Sequence, residues 1–287
     1  MHKWIICLIV TCITHCGYAQ VYDCFLFFNE LEVLDIRLHE LYDHVDKFVI
    51  VESVETFRGN PKPLLYQKNR RRYQKFSDKI IHVVLEERQE TTNPWDREEY
   101  QRNQIMRGLG DCMPEDTVMI SDVDEIVRGL VVPEIMRAVH NEGKNVVMCD
   151  QTMYRYYLNA VDTSTEWAGT CATTITYLNR VGPDKLRAGR NAFWNGEWRL
   201  LYPCIANAGW HFCSMGGLEM FTKKLESFSH QECDLSQNKT EKAIHQFMKR
   251  CSRIVPLDKT FPAYVLKNQK YFRDKEYLYE GVLVRYP

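Results

Sequence analysis

The chain has 287 residues, 45% hydrophobic and 26% charged, enough to bury a full core in one large globular unit. Its formal net charge is −1 and no Lys/Arg-rich stripe dominates, which excludes the electrostatic footprint of a nucleic-acid binder. Any polyanion it holds is therefore small.

The first residues read as a leader. Lys3 gives a positive start, Trp4 to Ile13 is an apolar run, and Gly17-Tyr18-Ala19 places small residues where a signal peptidase cuts. Residues 1–19 are expected to be a cleaved signal peptide, with an uncleaved short signal anchor as the alternative; the run falls short of the roughly 20 apolar residues of a comfortable span. Export suits the cysteines. Eleven occur, and removal of Cys7, Cys12 and Cys16 with the leader leaves an even set expected to form disulfides in an oxidising lumen. None forms a C-x-x-C pair, which argues against a zinc site or a redox centre. Asn238-Lys239-Thr240 is an N-glycosylation acceptor in that compartment.

After the leader, short apolar runs alternate with helical patterns, the mark of an α/β sheet. Cys24 to Phe28 reads as a strand, and Leu31, Leu34, Leu38 and Leu41 line one face of a helix. Lys47 to Glu52 is a second strand, Tyr66 to Phe76 a basic helical stretch, and Ile80 to Leu85 a third strand. Arg97 to Leu109 has helical composition with Gly110 placed to end it. Thr117 to Ile120 is then an apolar strand running into Ser121-Asp122-Val123-Asp124-Glu125. The carboxylates thus stand at the carboxyl end of a strand, where open α/β sheets bind ligands. Farther on come a helix to about His140, a strand at Val146 to Cys149, a β-rich stretch from Cys171 to Leu178 and a loop region over 182–200. A last strand near Trp210-His211 and helices at about 217–228 and 239–250 complete the reading.

Two aspartates one residue apart on extended backbone point to the same side and suit one hard cation, Mg²⁺ or Mn²⁺, which can bridge a diphosphate. An acidic turn with helix-capping aspartates is the bland reading. A dehalogenase-type phosphatase also carries Asp-x-Asp after an apolar strand, but wants Thr where Ile126 stands, and near the start of its domain. Two further classes stay in view, a secreted glycan-binding module on an inactive transferase fold and a metal-dependent phosphohydrolase.

The ordered blocks Asp23 to Leu31, Glu40-Leu41-Tyr42, Lys47 to Glu52, Trp95 with Tyr100-Gln101-Arg102-Asn103, Ser121 to Glu125, Gly209-Trp210-His211 and Ser227 to Glu232 resemble glycosyltransferase family 17. That family includes β-1,4-mannosyl-glycoprotein 4-β-N-acetylglucosaminyltransferases. The resemblance implies a GT-A-like, Rossmann-like α/β fold, with a mostly parallel central sheet flanked by helices in a single catalytic domain over 20–287. It also implies a UDP-GlcNAc donor, a divalent metal, inversion at the anomeric carbon, and an N-glycan or other glycan acceptor. Such an enzyme works in the Golgi or ER lumen, or is secreted, with membrane association only if the leader is retained.

On that footing Asp122 and Asp124 hold metal and diphosphate, Asp124 more directly, and His211 completes the metal shell or is structural. Asn29, Glu30 and Trp95 border the donor, and Glu52 accepts hydrogen bonds from uracil or ribose. Arg102 pairs with the diphosphate or, at i,i+4 spacing, with Glu98. His230 is structural or acceptor-side. Gly216-Gly217-Leu218-Glu219 offers a base in Glu219, against the reading of a helix-opening glutamate. Trp194, Trp198 and Trp210 offer apolar faces to a sugar ring or fill the core.

Overall fold

Alternation along the first strands sets the layering. In the computed structural model, which describes residues 19–140, 145–189 and 202–281, strand β1 (Val21–Phe27) sends Phe25 and Phe27 into one core layer and Cys24 and Leu26 into the other. Strand β2 (Lys47–Ser53) divides Phe48 and Ile50 from Val49 and Val51 in the same way. Strands buried on both faces are those of a sheet covered by helices on each side. Helix α1 (Leu31–Leu41) covers the first face with Leu34, Leu38 and Leu41. Ile105, Leu178 and Leu186 cover the second.

Strands β3 (Ile80–Leu85), β2, β1 and β4 (Thr117–Asp122) lie side by side and parallel, as short crossovers through α1 and the following helices require. Helix α2 (Leu65–Lys68) continues as a 3-10 turn over Arg70–Phe76 between β2 and β3. Beyond β4 the pairing turns antiparallel. Strand β8 (Ala168–Thr174) joins β4, then β6 (Val146–Arg155), β7 (Ala160–Asp162) and β10 (Ser252–Ile254) follow. Strand β9 (Cys204–Cys213) runs parallel to β6 and pairs antiparallel with β5 (Glu125–Val127), a strand too short to announce itself by pattern.

Several boundaries move for local reasons. Helix α3 (Pro94–Asn103) starts before Arg97 because Asn93 accepts the amide of Trp95 and Pro94 suits the first turn. It ends in a 3-10 turn over Gln104–Gly108. A helix after Pro133 is present as α4 (Val132–Val139). The stretch read as β-rich to Leu178 breaks at Thr174, whose hydroxyl caps α5 (Ile175–Val181). The expected loop region opens instead with α6 (Pro183–Ala188). Helices α7 (Gly217–Leu225) and α8 (Glu241–Cys251) fall where periodicity put them. The leader, except Ala19, lies outside the described residues, as do Trp194 and Trp198. Among the described residues no helix is long and apolar enough to cross a membrane.

The expected disulfides are not formed by Cys24, Cys112, Cys149, Cys213, Cys233 or Cys251, which are free thiols. Cys24 and Cys149 sit in opposite core layers and act there as small apolar side chains.

One polar cluster crosses this apolar interior. Arg37, fully buried on α1, donates to both carboxylate oxygens of Asp23 on β1, at 2.8 and 2.6 Å. The same guanidinium donates to the Ser121 hydroxyl at 2.6 Å and to the carbonyls of Asp122, Val123 and Glu125 at 2.9, 3.2 and 2.9 Å. Removing one partner of such a pair strands the other charge, so Arg37→Met lowers the unfolding free energy by about 3–5 kcal/mol. Chemical denaturation of the two proteins measures the difference.

Candidate active site

A crevice of about 270 Å³ opens at the carboxyl ends of β1, β2 and β4. The chain reaches it through the turn that leaves β4 and re-enters as β5. The Asp122 amide donates to Glu125 Oε2 at 2.8 Å, and Arg37 holds the turn's carbonyls from below. Val123, buried in the core, fixes the phase, and the carboxylates on either side of it line the crevice.

The two aspartates have different partners. Asp122, at the rim, places Oδ2 3.0 Å from Arg187 and Oδ1 3.5 Å from Arg102. Asp124, almost fully buried, places Oδ2 2.9 Å from Lys224 Nζ and Oδ1 3.5 Å from His211 Nε2. Strand register explains the second set. β5 pairs with β9 so that Glu125 stands opposite His211, and the Phe212 amide donates to the Asp124 carbonyl at 2.8 Å. Gly209 permits this approach, since a Cβ there would lie 2.0 Å from the Ile126 carbonyl oxygen. Two residues beyond His211, on the same face of the strand, is Cys213.

Asp124, His211 and Cys213 offer one ligand atom each, all within 4.8 Å of one another, and the buried His211 Nδ1 makes no hydrogen bond among the described residues. This O, N and S donor set fits a divalent cation. Burial alone would raise the Asp124 carboxyl, but Lys224 and His211 outweigh it and hold it well below the usual carboxylate range. Burial opposes the His211 imidazolium, and Asp124 overcomes it to push the imidazole up to about 9. The Cys213 thiol, raised by burial, is drawn down to about 6 by Lys224, Arg155 and His211.

The other expected site residues divide between the crevice and positions away from it. Glu30 and Trp95 line the crevice, Trp95 against the edge of His230 at 4.7 Å between ring centroids. Asn29 stands beside it, with its amide on Glu30 Oε2. Glu52 does not face the donor space. It is fully buried, with its oxygens taken by the amides of Tyr66 and Gln67 at 2.8 and 3.2 Å and by His82 at 3.1 Å, so it caps α2. Arg102 is 2.6 Å from both Glu98 and Asp184 and meets Asp122 rather than lining the crevice.

Glu219 is corrected too. Its side chain is 81% exposed and pairs with Lys223 at 2.7 Å, while the preceding glycines turn the chain at positive φ into α7. Five residues on, about 140° round the helix, Lys224 faces the crevice instead. Trp210 is core, stacked on Phe212. Besides Trp95, the crevice is lined by the indole of Trp167, which donates to Glu125 at 2.9 Å and tilts over His211. Arg187 and Lys224 carried no motif; only the cationic run Lys185 to Arg190 hinted at the first. At Asn238 the side-chain nitrogen donates to the Cys233 carbonyl at 3.0 Å, and Thr240 caps α8.

Residues 5–261 match Glycosyltransferase family 17. A stretch of 109 residues is 32% identical to the β-1,4-mannosyl-glycoprotein 4-β-N-acetylglucosaminyltransferases of Homo sapiens and Rattus norvegicus, covering 34% of this chain and 20% of each of those proteins. Among solved structures, the chain is similar to a Pyrobaculum calidifontis mannosyltransferase in complex with GDP-Man and Mn²⁺, at 13% identity and a TM-score of 0.44, over 90% of this chain and 71% of the other. It is also similar to M. tuberculosis glucosyl-3-phosphoglycerate synthase, at 12% identity and a TM-score of 0.41, over 87% and 92%.

The raised His211 has a pH signature in chelator-treated protein. A group whose folded pKa exceeds its unfolded value of about 6.5 gives stability that is full below that pH and lost as pH rises through about 9. The stability gap between the wild type and His211→Gln is therefore widest near pH 6 and narrows by about pH 9.5. Denaturant titrations at both pH values check it.

Proposed function

Because the chain belongs to glycosyltransferase family 17, we propose that it transfers N-acetylglucosamine from UDP-GlcNAc to a mannose of an N-glycan, with inversion, in the lumen of the secretory pathway. The observation that carries this reading is the placing of Asp122 and Asp124 at the carboxyl end of β4, in one crevice with His211 and Lys224. The leader pattern at residues 1–19 supports the compartment.

Asp124 and His211 would hold Mn²⁺ or Mg²⁺, which when bound neutralises charge building on a departing diphosphate. The chain adds fixed charge of its own. Lys224 places an ammonium on the crevice wall, and Arg187 and Arg102 orient Asp122 at its rim. Trp167, Phe28 and Phe57 supply apolar walls that exclude water from the reacting centre.

Inversion needs a base for the acceptor hydroxyl, and Glu219 faces solvent on α7. Of the carboxylates lining the crevice, Glu98 is committed to Arg102 and Ser229, and Glu55 to Arg88, Arg97 and the Gln89 amide. Glu30 accepts the Asn29 amide, and burial raises its carboxyl above the ordinary carboxylate value, the direction that strengthens a carboxylate as a base.

The test is release of UDP and extension of an N-glycan acceptor panel by the purified chain in Mn²⁺ or Mg²⁺. Asp124→Ala abolishes both, Glu30→Gln lowers turnover by about 10²-fold or more, and Glu219→Gln leaves it near wild type. Donor binding with no turnover on any acceptor would return the chain to a glycan-binding module. Hydrolysis of simple phosphate esters without regard to sugar would make it a phosphohydrolase.

A further inference from the structure

Lys62 is a charged crevice residue that no motif explains and that forms no ion pair among the described residues. It lines the wall formed by the segment after β2, and its Nζ is buried and makes no hydrogen bond among the described residues. The nearest aromatic face is Phe28, with the ring centroid 5.6 Å from Nζ. Glu52 and Glu30 act on it through space, but the Glu52 oxygens are held by the Tyr66 and Gln67 amides and Glu30 by the Asn29 amide. An ammonium with three donors and no acceptor is costly to keep out of water, and native interiors rarely keep one without a reason.

The backbone holds Lys62 in that position. Its amide donates to the Val54 carbonyl at 2.7 Å, Glu55 bridges Pro61, and the Thr56 amide donates to Asn60 at 2.8 Å. Gly59 closes the loop at a φ of +81° directly over the Arg97 guanidinium, where a Cβ would lie 2.7 Å from Nη2. The loop is thus a tight hairpin tied to α3, and the side chain it presents is preorganised. Around the crevice, Glu30, Glu55, Glu98, Asp122 and Asp124 supply negative charge, so an anionic ligand needs every ammonium that faces it.

We infer that Lys62 is a donor-binding residue whose ammonium takes an oxygen acceptor of the nucleotide, either a base carbonyl or a phosphate oxygen, with Phe28 and Phe57 flanking it. The inference rests on the nucleotide-sugar reading above. The acceptor bond satisfies the ammonium that the described residues leave without a hydrogen bond, which couples the loop after β2 to the donor's arrival.

Calorimetric titration of the full chain and of Lys62→Met with uridine, UMP and UDP tests it, together with thermal melts of both proteins without nucleotide. The variant binds UDP roughly ten-fold more weakly, the loss of one charge-assisted hydrogen bond, and melts at or above the wild-type temperature because a buried orphan has gone. A loss already present with uridine supports the assignment and puts the acceptor on the base; a loss confined to UMP and UDP supports it and puts the acceptor on phosphate. Equal UDP affinity overturns it. So does a lowered melting temperature, which would give Lys62 a structural partner. A wild-type chain that binds none of the three nucleotides brings down the transferase reading, and the nucleotide assignment falls with it.

Discussion

The site depends on a single buried guanidinium. Arg37 stands at the junction of α1, β1 and the turn after β4, with its donors spread over one carboxylate, one hydroxyl and three backbone carbonyls. Burying such a charge is expensive, and good geometry with every donor satisfied is what makes it tolerable. A turn whose carbonyls are already spoken for cannot relax to seek water. Its two aspartate carboxylates line the crevice. The first helix of the domain thereby fixes the acidic motif far along the chain, and the motif's chemistry follows from core packing as much as from its own residues.

Charge around the crevice is arranged in pairs with divided roles. Asp122 is oriented from the α3 and α6 side by Arg102 and Arg187, whereas Asp124 is oriented from the β9 and α7 side by His211 and Lys224. Glu125, fully buried between them, accepts from the Asp122 amide, the Trp167 indole and Arg187, which stiffens the partition. Fixed dipoles and charges that need no rearrangement when a ligand's charge develops are the form in which a protein stabilises a departing diphosphate.

The parallel half of the sheet was legible because its strands are buried on both faces and so appear as continuous apolar runs between helical patterns. The acidic motif was legible because a strand end is where such sheets bind ligands. Residues whose meaning depends on direction were not. Glu52 sits at a strand end like Asp122, yet its side chain turns to the α2 amides. Glu219 opens a helix beside the crevice, but helical phase gives the crevice to Lys224 and the solvent to Glu219. Trp210 is core because strand alternation on β9 turns it away from the His211 side, and the indole beside His211 is that of Trp167, just ahead of β8. Arg187 reaches the site through Asp122, distant in sequence, which no local spacing encodes, and Lys62 reaches it on a local hairpin after β2 that the sheet places beside β1. The short β5 escaped notice because three residues make no period.

The pairing of β5 with β9 ties the timing of the site to that of the sheet. His211 arrives on a strand synthesised long after Asp124, and until that strand docks, the far side of the acidic turn has neither its imidazole nor the carbonyl-bound Phe212 amide. A side-chain period of two leaves no intermediate arrangement, because a slip of one residue would swing His211 and Cys213 to the opposite face and bring Trp210 or Phe212 against the carboxylate. The acidic site is therefore a readout of strand register: a chain that closes its sheet correctly has built the site, and a chain that closes it one residue out of step has an apolar plug in the same place.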